Sequence, residues 1–308
     1  MGFRTIPQPY ICCVLLDDTA PTGVIRTMKL AEYEGADAFD LELQGLDPEY
    51  RTSQALKSVF DCATKPIFTV YRRYTLQGAS FVANASDEDA RMRAQLDLID
   101  LGSIGFDMEL DTFDPQQKQH RWTDEGRRHA YDRSSAPGEI STDPRAIERQ
   151  MRLIDETHRR GGEVMASAHT MTRLTPEGAL EIGRLAEERG ADVVKIVGFC
   201  ADYDDVLAAL AASVLLKREL RIPFVVMAHG EYGKLVRPLA PLFGSMLVFA
   251  RQDYKVGSFL DQPPVRAMRA MLDNVDFRIS RRADWFLPPE VVAELATARN
   301  GAALITAP

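Results

Sequence analysis

This 308-residue sequence lacks the features that mark several large classes of protein. Its longest apolar run, Val206 to Leu216, is eleven residues, against the ~20 that a membrane helix needs. It has no basic block, and its net charge is −8, so nucleic acid is not an expected partner and neither is a membrane. The opening "MGFRTIPQPY" has no apolar core and no small-residue cleavage site, so no signal peptide is expected. Ile6 stands where a myristoylation motif needs Ser or Thr. Only four cysteines occur, Cys12, Cys13, Cys62 and Cys200, with no CxxC or other metal-like spacing. Cys12, Cys13 and Cys200 sit in or beside apolar runs, where free thiols act as small fillers. A reduced, cytoplasmic protein is the expectation. With no low-complexity tract, the length suits one large α/β barrel or two ordinary domains.

What is present is an alternation. Apolar runs fall at 10–16, 38–43, 67–71, 104–110, 164–169, 193–199, 224–229 and 246–250. Helical patterns separate them, such as "TPEGALEIGRLAEERG", with Thr175 as N-cap, Pro176 at the first position and Gly190 at the end. "SDEDARMRAQLDLIDLG" repeats that logic from Ser86 to Gly102. Three echoes, "GADAFDLEL", "GSIGFDMEL" and "GADVVKIVG", each begin where a helix stops. Eight strands alternating with eight helices predict an α/β fold, a single (β/α)8 barrel over residues 1–275. Two segments exceed that plan. Residues 112–145 are polar and rich in turn formers, a long loop after the fourth strand on the face where barrel enzymes keep their sites. Residues 276–308 form a C-terminal extension ending in the helical "PPEVVAELATAR", expected to pack on the barrel or on a partner subunit.

Side chains alternate across a strand, so one set faces the barrel interior and the other the helices. The helix-facing sets are apolar, whereas the interior sets carry Asp40, Glu42, Asp107, Glu109, His169 and Lys195. A barrel interior is ordinarily packed with Val, Ile and Leu, and an uncompensated buried charge costs several kcal/mol. An interior this polar reads as an active site. The structural alternative is a closed network of ion pairs, which would bring little net stability.

Lys195 sits inside the apolar run "ADVVKIVGFC", although lysine is among the residues least often buried. A desolvated lysine spends more time as the neutral amine, the form that condenses with a ketone or aldehyde. The resulting imine acidifies a neighbouring C–H, and histidine is suited to moving that proton. His169 ends the preceding strand on the interior face, within reach of the same substrate carbon, because neighbouring strands lie ~4.8 Å apart.

Four stretches, "SAHTM", "ADVVKIV", "GEYGKLVRPLAPLFGS" and "GSFLDQ", resemble type I 3-dehydroquinate dehydratase over about residues 8–275. The resemblance implies a (β/α)8 barrel that dehydrates the cyclic keto acid 3-dehydroquinate through a lysine Schiff base, with no metal or cofactor, as a homodimer. It makes Lys195 the Schiff-base lysine and His169 the general acid/base. It makes Arg237 the arginine that binds the substrate carboxylate, with Ser258 and Gln262 in the loop closing over that side. Met227 and Phe249 become apolar lining, Glu42 contacts substrate hydroxyls and Asp107 supports the site.

The pattern departs from the family at five places. Gln44 replaces an arginine, and Arg72 falls one residue late in "FTVYRR" unless Tyr71 takes its place. The glutamate that orients the histidine is replaced near Gln77, and His229 stands where the family has a second methionine. The insertion at 112–145 is the fifth. These changes gather on the side that reads substrate hydroxyls, so the substrate is expected to be 3-dehydroquinate or a modified cyclic keto acid. Rivals are a Schiff-base aldolase, which would want a phosphate cradle the sequence does not offer, a metal-dependent lyase using Asp40, Glu42, Asp107, His169 and His229, and a ligand-binding barrel without turnover.

Overall fold

The computed structural model describes residues 2–77, 80–116, 123–254, 261–275 and 290, leaving aside the side chains of 76, 77, 80 and 81. The chain forms two compact units, 1–269 and 270–308. Of the second, residues 270–274 are helical. Apart from Glu290, the expected extension over 276–308 lies outside the described residues.

Eight parallel strands make the sheet of the first unit: β1 (Tyr10–Leu15), β2 (Ala38–Glu42), β3 (Ile67–Val70), β6 (Gly105–Glu109), β7 (Glu163–His169), β8 (Val193–Phe199), β9 (Phe224–His229) and β10 (Leu247–Ala250). A separate hairpin, β4 (Tyr74–Gln77) and β5 (Ser80–Ala83), follows β3. The eight expected strands recur to within one residue at each end. Their order is β10-β1-β2-β3-β6-β7-β8-β9. The ends of that series meet where Met246 N–H donates to the Phe224 carbonyl and Val226 N–H to Ser245 Oγ. The result is a (β/α)8 barrel.

Helices follow the strands: α1 (Pro21–Tyr33), α2 (Ser53–Cys62), α3 (Glu88–Ile99), α4 (Asp124–Tyr131), α5 (Pro144–Arg159), α6 (Pro176–Glu188), α7 (Tyr203–Glu219), α8 (Gly233–Leu239) and α9 (Val265–Asn274). At two of the N-caps a side chain satisfies an orphan amide as expected: Thr175 accepts from Gly178 N–H, and Asp87, one residue past Ser86, accepts from Ala90 N–H. The hairpin and α4 are absent from the reading of the sequence. Helix α4 lies inside the 112–145 stretch, capped by Thr123 with Asp124 and Glu125 in its first turn. No helix among the described residues is long and apolar enough to cross a membrane.

The alternation is visible in the packing. Ala166, Ala168, Val194, Ile196, Val226 and Ala228 face outward against Ala179, Ile182 and Ala186 of α6 and Val206, Ala209 and Leu216 of α7. Burial of each Val, Ile or Leu there contributes about 1.5–3 kcal/mol. The opposite set, Cys12, Val14, Phe68, Met165, Val193 and Val225, fills the lower interior. Phe3, from a 3₁₀ turn ahead of β1, meets Phe68 edge-on at 5.1 Å. Apolar side chains thus fill the base of the interior, and charged ones begin midway up it, with Asp40, Asp107 and Lys195 each the third residue of its strand.

One cation closes the α3 side. Arg91 is 1% exposed, and its Nε, Nη1 and Nη2 donate to Glu88, the Tyr71 carbonyl, Glu109 and Thr112 at 2.6–3.2 Å. Replacing Arg91 by Met removes these donors and leaves buried carboxylates with less compensation. We expect a loss of about 3–5 kcal/mol of stability, measured by urea unfolding. A loss below about 1 kcal/mol would mean that Arg91 is an ordinary exposed-type pair.

Candidate active site

Parallel register sets the geometry. Lys195 on β8 lies opposite Ser167 on β7, with His169 two residues further along the same face, about 6.6 Å up the strand. Asp107 on β6 lies on the other side of β7 and reaches across it. The lysine is 4% exposed. Its Nζ donates to Asp107 Oδ2 at 2.5 Å and lies 5.3 Å from the centre of the Phe249 ring. Asp107 Oδ1 accepts from Ser167 Oγ at 2.6 Å and is 3.3 Å from Arg72 Nη1.

Arg72 resolves the ambiguity in "FTVYRR". It, and not Tyr71, enters the interior: Nη1 donates to Glu109 at 3.1 Å and Nη2 lies 3.4 Å from His169 Nε2. The Tyr71 hydroxyl turns away to the Asn84 carbonyl. Gln44 falls in a 3₁₀ turn just past β2. Its Nε2 donates to Glu42, and its Oε1 accepts from Arg72 N–H at 3.1 Å. Burial opposes charge on Glu109, yet Arg91, Arg72 and Arg73 hold its carboxyl well below the usual carboxylate range.

The residue that orients His169 is one the sequence reading did not select. Glu139 Oε2 accepts from His169 N–H at 2.9 Å and from its Nδ1 at 2.8 Å. Glu139 lies in the 112–145 segment, so this loop supplies a carboxylate for the histidine where the sequence reading found the orienting glutamate replaced near Gln77, whose side chain lies outside the described residues. Glu139 adopts a left-handed φ of 55°, which costs a non-glycine residue roughly 1–2 kcal/mol. The tautomer follows from the partners. Arg72 can only donate, so Nε2 is the acceptor and Nδ1 carries the hydrogen given to Glu139. A neutral imidazole with its basic Nε2 in the interior is the form needed to take a proton.

A second imidazole faces the first. The His229 ring, at the end of β9, stacks on His169 with centroids 6.3 Å apart and planes 24° apart. Its Nδ1 is 3.8 Å from Asp261 Oδ2, which accepts from Arg237 Nη2 at 2.6 Å. Arg237 Nη1 lies 3.4 Å from Met227 Sδ. Burial works against charge on Asp261, but His229 and Arg237 outweigh it and hold its carboxyl down to about 2. The Gln262 carbonyl accepts from Tyr254 Oη at 3.0 Å, and its side-chain Oε1 is buried with no hydrogen-bond partner among the described residues, while Ser258 lies outside the described residues. Asp261 stands inside the quoted "GSFLDQ" and was passed over there.

Asp40 differs from its neighbours. Burial, reinforced by Glu42 and Asp107 and only partly offset by Lys195 and Arg72, pushes its carboxyl well above the usual range. A raised folded-state value favours folding fully below the ordinary aspartate range near 4, and that contribution is lost as pH rises through the raised value. Asp40→Asn cannot ionise. Its melting temperature is therefore expected to gain on the wild type as pH rises from the ordinary aspartate range near 4 toward neutrality. A difference that is constant across that range would show that Asp40 does not titrate.

Three of the four thiols are inert by placement, and Cys62 is exposed. Cys12, Cys13 and Cys200 are buried, and burial raises all three, Cys13 and Cys200 to about 12. Among the described residues no group of three or more His, Cys, Asp or Glu could hold a metal ion.

These features define a (β/α)8 barrel with a lysine buried in its interior beside an imidazole–carboxylate pair. A family model for type I 3-dehydroquinase matches residues 12–277. The chain belongs to the type I 3-dehydroquinase family. It is 30% identical over 139 residues to 3-dehydroquinate dehydratase of Aromatoleum aromaticum, covering 44% of this chain and 50% of that one. It is 36% identical over 101 residues to the enzyme of the same name from Alkaliphilus oremlandii, covering 32% and 39%. The chain thus spans about half the length, or less, of these curated relatives. Two crystal structures share the fold. The 3-dehydroquinate dehydratase of Geobacillus kaustophilus has a TM-score of 0.65 at 20% identity, covering 88% of this chain and 93% of that one. The type I enzyme of Clostridium difficile, with covalently modified comenic acid, has a TM-score of 0.67 at 16% identity, covering 91% and 95%.

Proposed function

We propose that this chain is a Schiff-base carbon–oxygen lyase that dehydrates 3-dehydroquinate or a closely related cyclic keto acid, giving 3-dehydroshikimate or its analogue. The observation that carries the reading is Lys195, buried in the interior on the same face as an oriented His169. Asp107, in contact with Nζ, is placed to take the ammonium proton. The freed amine adds to the C3 ketone and, with loss of water, forms the imine. His169 Nε2 then removes a proton from C2, and the electron pair moves into the C2–C3 bond. As the C1–O bond breaks, the hydroxyl leaves with a proton returned from His169. Water hydrolyses the conjugated imine, releasing product and restoring the amine. We assign Arg72, Glu42, Gln44 and His229 to the hydroxyl side, Phe249 and Met227 to the apolar wall and Arg237 with Gln262 to the carboxylate side, to which the resemblance adds Ser258.

The same reading carries a cytoplasmic location, supported by the three buried free thiols, a homodimeric assembly, which light scattering would test, and a C-terminal extension beyond the barrel. The activity is tested by adding 3-dehydroquinate and following the conjugated enone of the product by ultraviolet absorbance, with borohydride reduction of parallel samples. Enone formation together with a mass adduct on the Lys195 peptide is the expected result. Neither signal with 3-dehydroquinate or any related cyclic ketone would overturn the proposal.

A further inference from the structure

Arg237 is buried, and the ion-pair partner it touches is a carboxylate of its own chain. Asp261 Oδ2 sits 2.6 Å from Nη2, with His229 on its other side at 3.8 Å. A guanidinium presents a limited set of donors in one plane. A ligand carboxylate that takes this position must displace Asp261, leaving a half-buried anion without its cation, or share the arginine and place two negative charges side by side. Exchange of one carboxylate for another at the same cation brings little net gain, whereas like charges in contact carry a cost. A ligand with an uncharged hydrogen-bonding group there meets neither penalty.

We infer that Asp261 is a specificity-determining residue, an internal competitor for Arg237 that lowers the affinity of this site for carboxylated ligands relative to uncharged analogues. This deepens the proposed function and rests on it for the ligand class, a cyclic ketone whose carboxylate end meets Arg237. Asp261 is not a catalytic residue, because it touches no reacting atom. Its effect belongs to binding and to KM, not to the chemical step.

The test compares 3-oxocyclohexanecarboxylate with 3-oxocyclohexanecarboxamide, two ketones that differ in one charge, by calorimetric titration of the wild type and Asp261→Asn. The variant should bind the carboxylate roughly tenfold or more tighter than the wild type does, with the carboxamide changed less than about twofold. Asp261→Glu keeps the charge and should keep the wild-type discrimination, and Asp261→Ser serves if the asparagine variant does not fold. If the Asn and Ser variants leave carboxylate affinity unchanged or lower, or shift both ligands equally, the inference is overturned. A carboxylate that binds none of the proteins overturns it as well. Borohydride trapping in the same samples reads the imine separately. A selective gain in binding without any Lys195 adduct would sink the lyase proposal and leave the role of Asp261 standing.

Discussion

Lys195→Ala is expected to lower kcat by on the order of 10⁴-fold or more, because it removes the nucleophile and with it the covalent route. The same variant should show no borohydride-trapped adduct with any ketone. Folding should survive the change. Asp107 keeps its bond from Ser167 at 2.6 Å and its contact with Arg72 at 3.3 Å, so the remaining carboxylate is not left alone. Lys195→Arg separates the two roles of this side chain. Arginine restores a cation toward Asp107 but stays protonated and forms no imine. If Lys195 serves only to close an ion-pair network, the arginine variant keeps both stability and turnover. If it serves as the nucleophile, the arginine variant is stable and inactive. Retained turnover in Lys195→Arg would remove the basis of the mechanism.

Glu139→Gln is expected to lower kcat by about 10²–10⁴-fold, the range over which an oriented general base contributes. Glu139 is the acceptor for both His169 N–H and Nδ1. An amide can turn its NH₂ toward Nδ1, which would move the ring hydrogen to Nε2 and leave no lone pair facing the substrate. Imine formation does not pass through this pair. The variant should therefore still accumulate a Lys195 adduct under borohydride while turnover is lost. A variant that loses trapping and turnover together would point to a collapsed site instead. One that keeps full turnover would show that His169 needs no orienting partner.

The outcome for Glu139 also shows where sequence reasoning stopped. The 112–145 stretch reads as a long loop because it is polar and rich in turn formers, and Glu139 sits in "APGEIS", a context with no apolar pattern to place it. Its side chain reaches His169 only because the backbone turns through φ 55°, a conformation that a glutamate does not announce. Asp261 was hidden differently. It lay between two residues chosen by resemblance, in a turn ahead of α9, and its partner, Arg237, is on α8. Arg72 was seen but its reach was not, since whether it or Tyr71 enters the interior depends on where the chain bends after β3.

Alternation, by contrast, is a property of each strand alone. It put Asp107, His169 and Lys195 on one face, and the register bears this out, with Lys195 opposite Ser167 and His169 two residues beyond on that face. The apolar partners of the opposite face, Val194 and Ile196, pack on the helices as the pattern requires. The sequence by itself therefore determined the strand positions, the barrel, and which side chains face its interior, because a period of two is set by the pleat and needs no neighbour. Only the tertiary structure decided the pairings of Lys195 with Asp107, His169 with Glu139 and Arg237 with Asp261, which lie 88, 30 and 24 residues apart. Such pairings depend on where separate strands and loops return in space, and no local pattern encodes that distance.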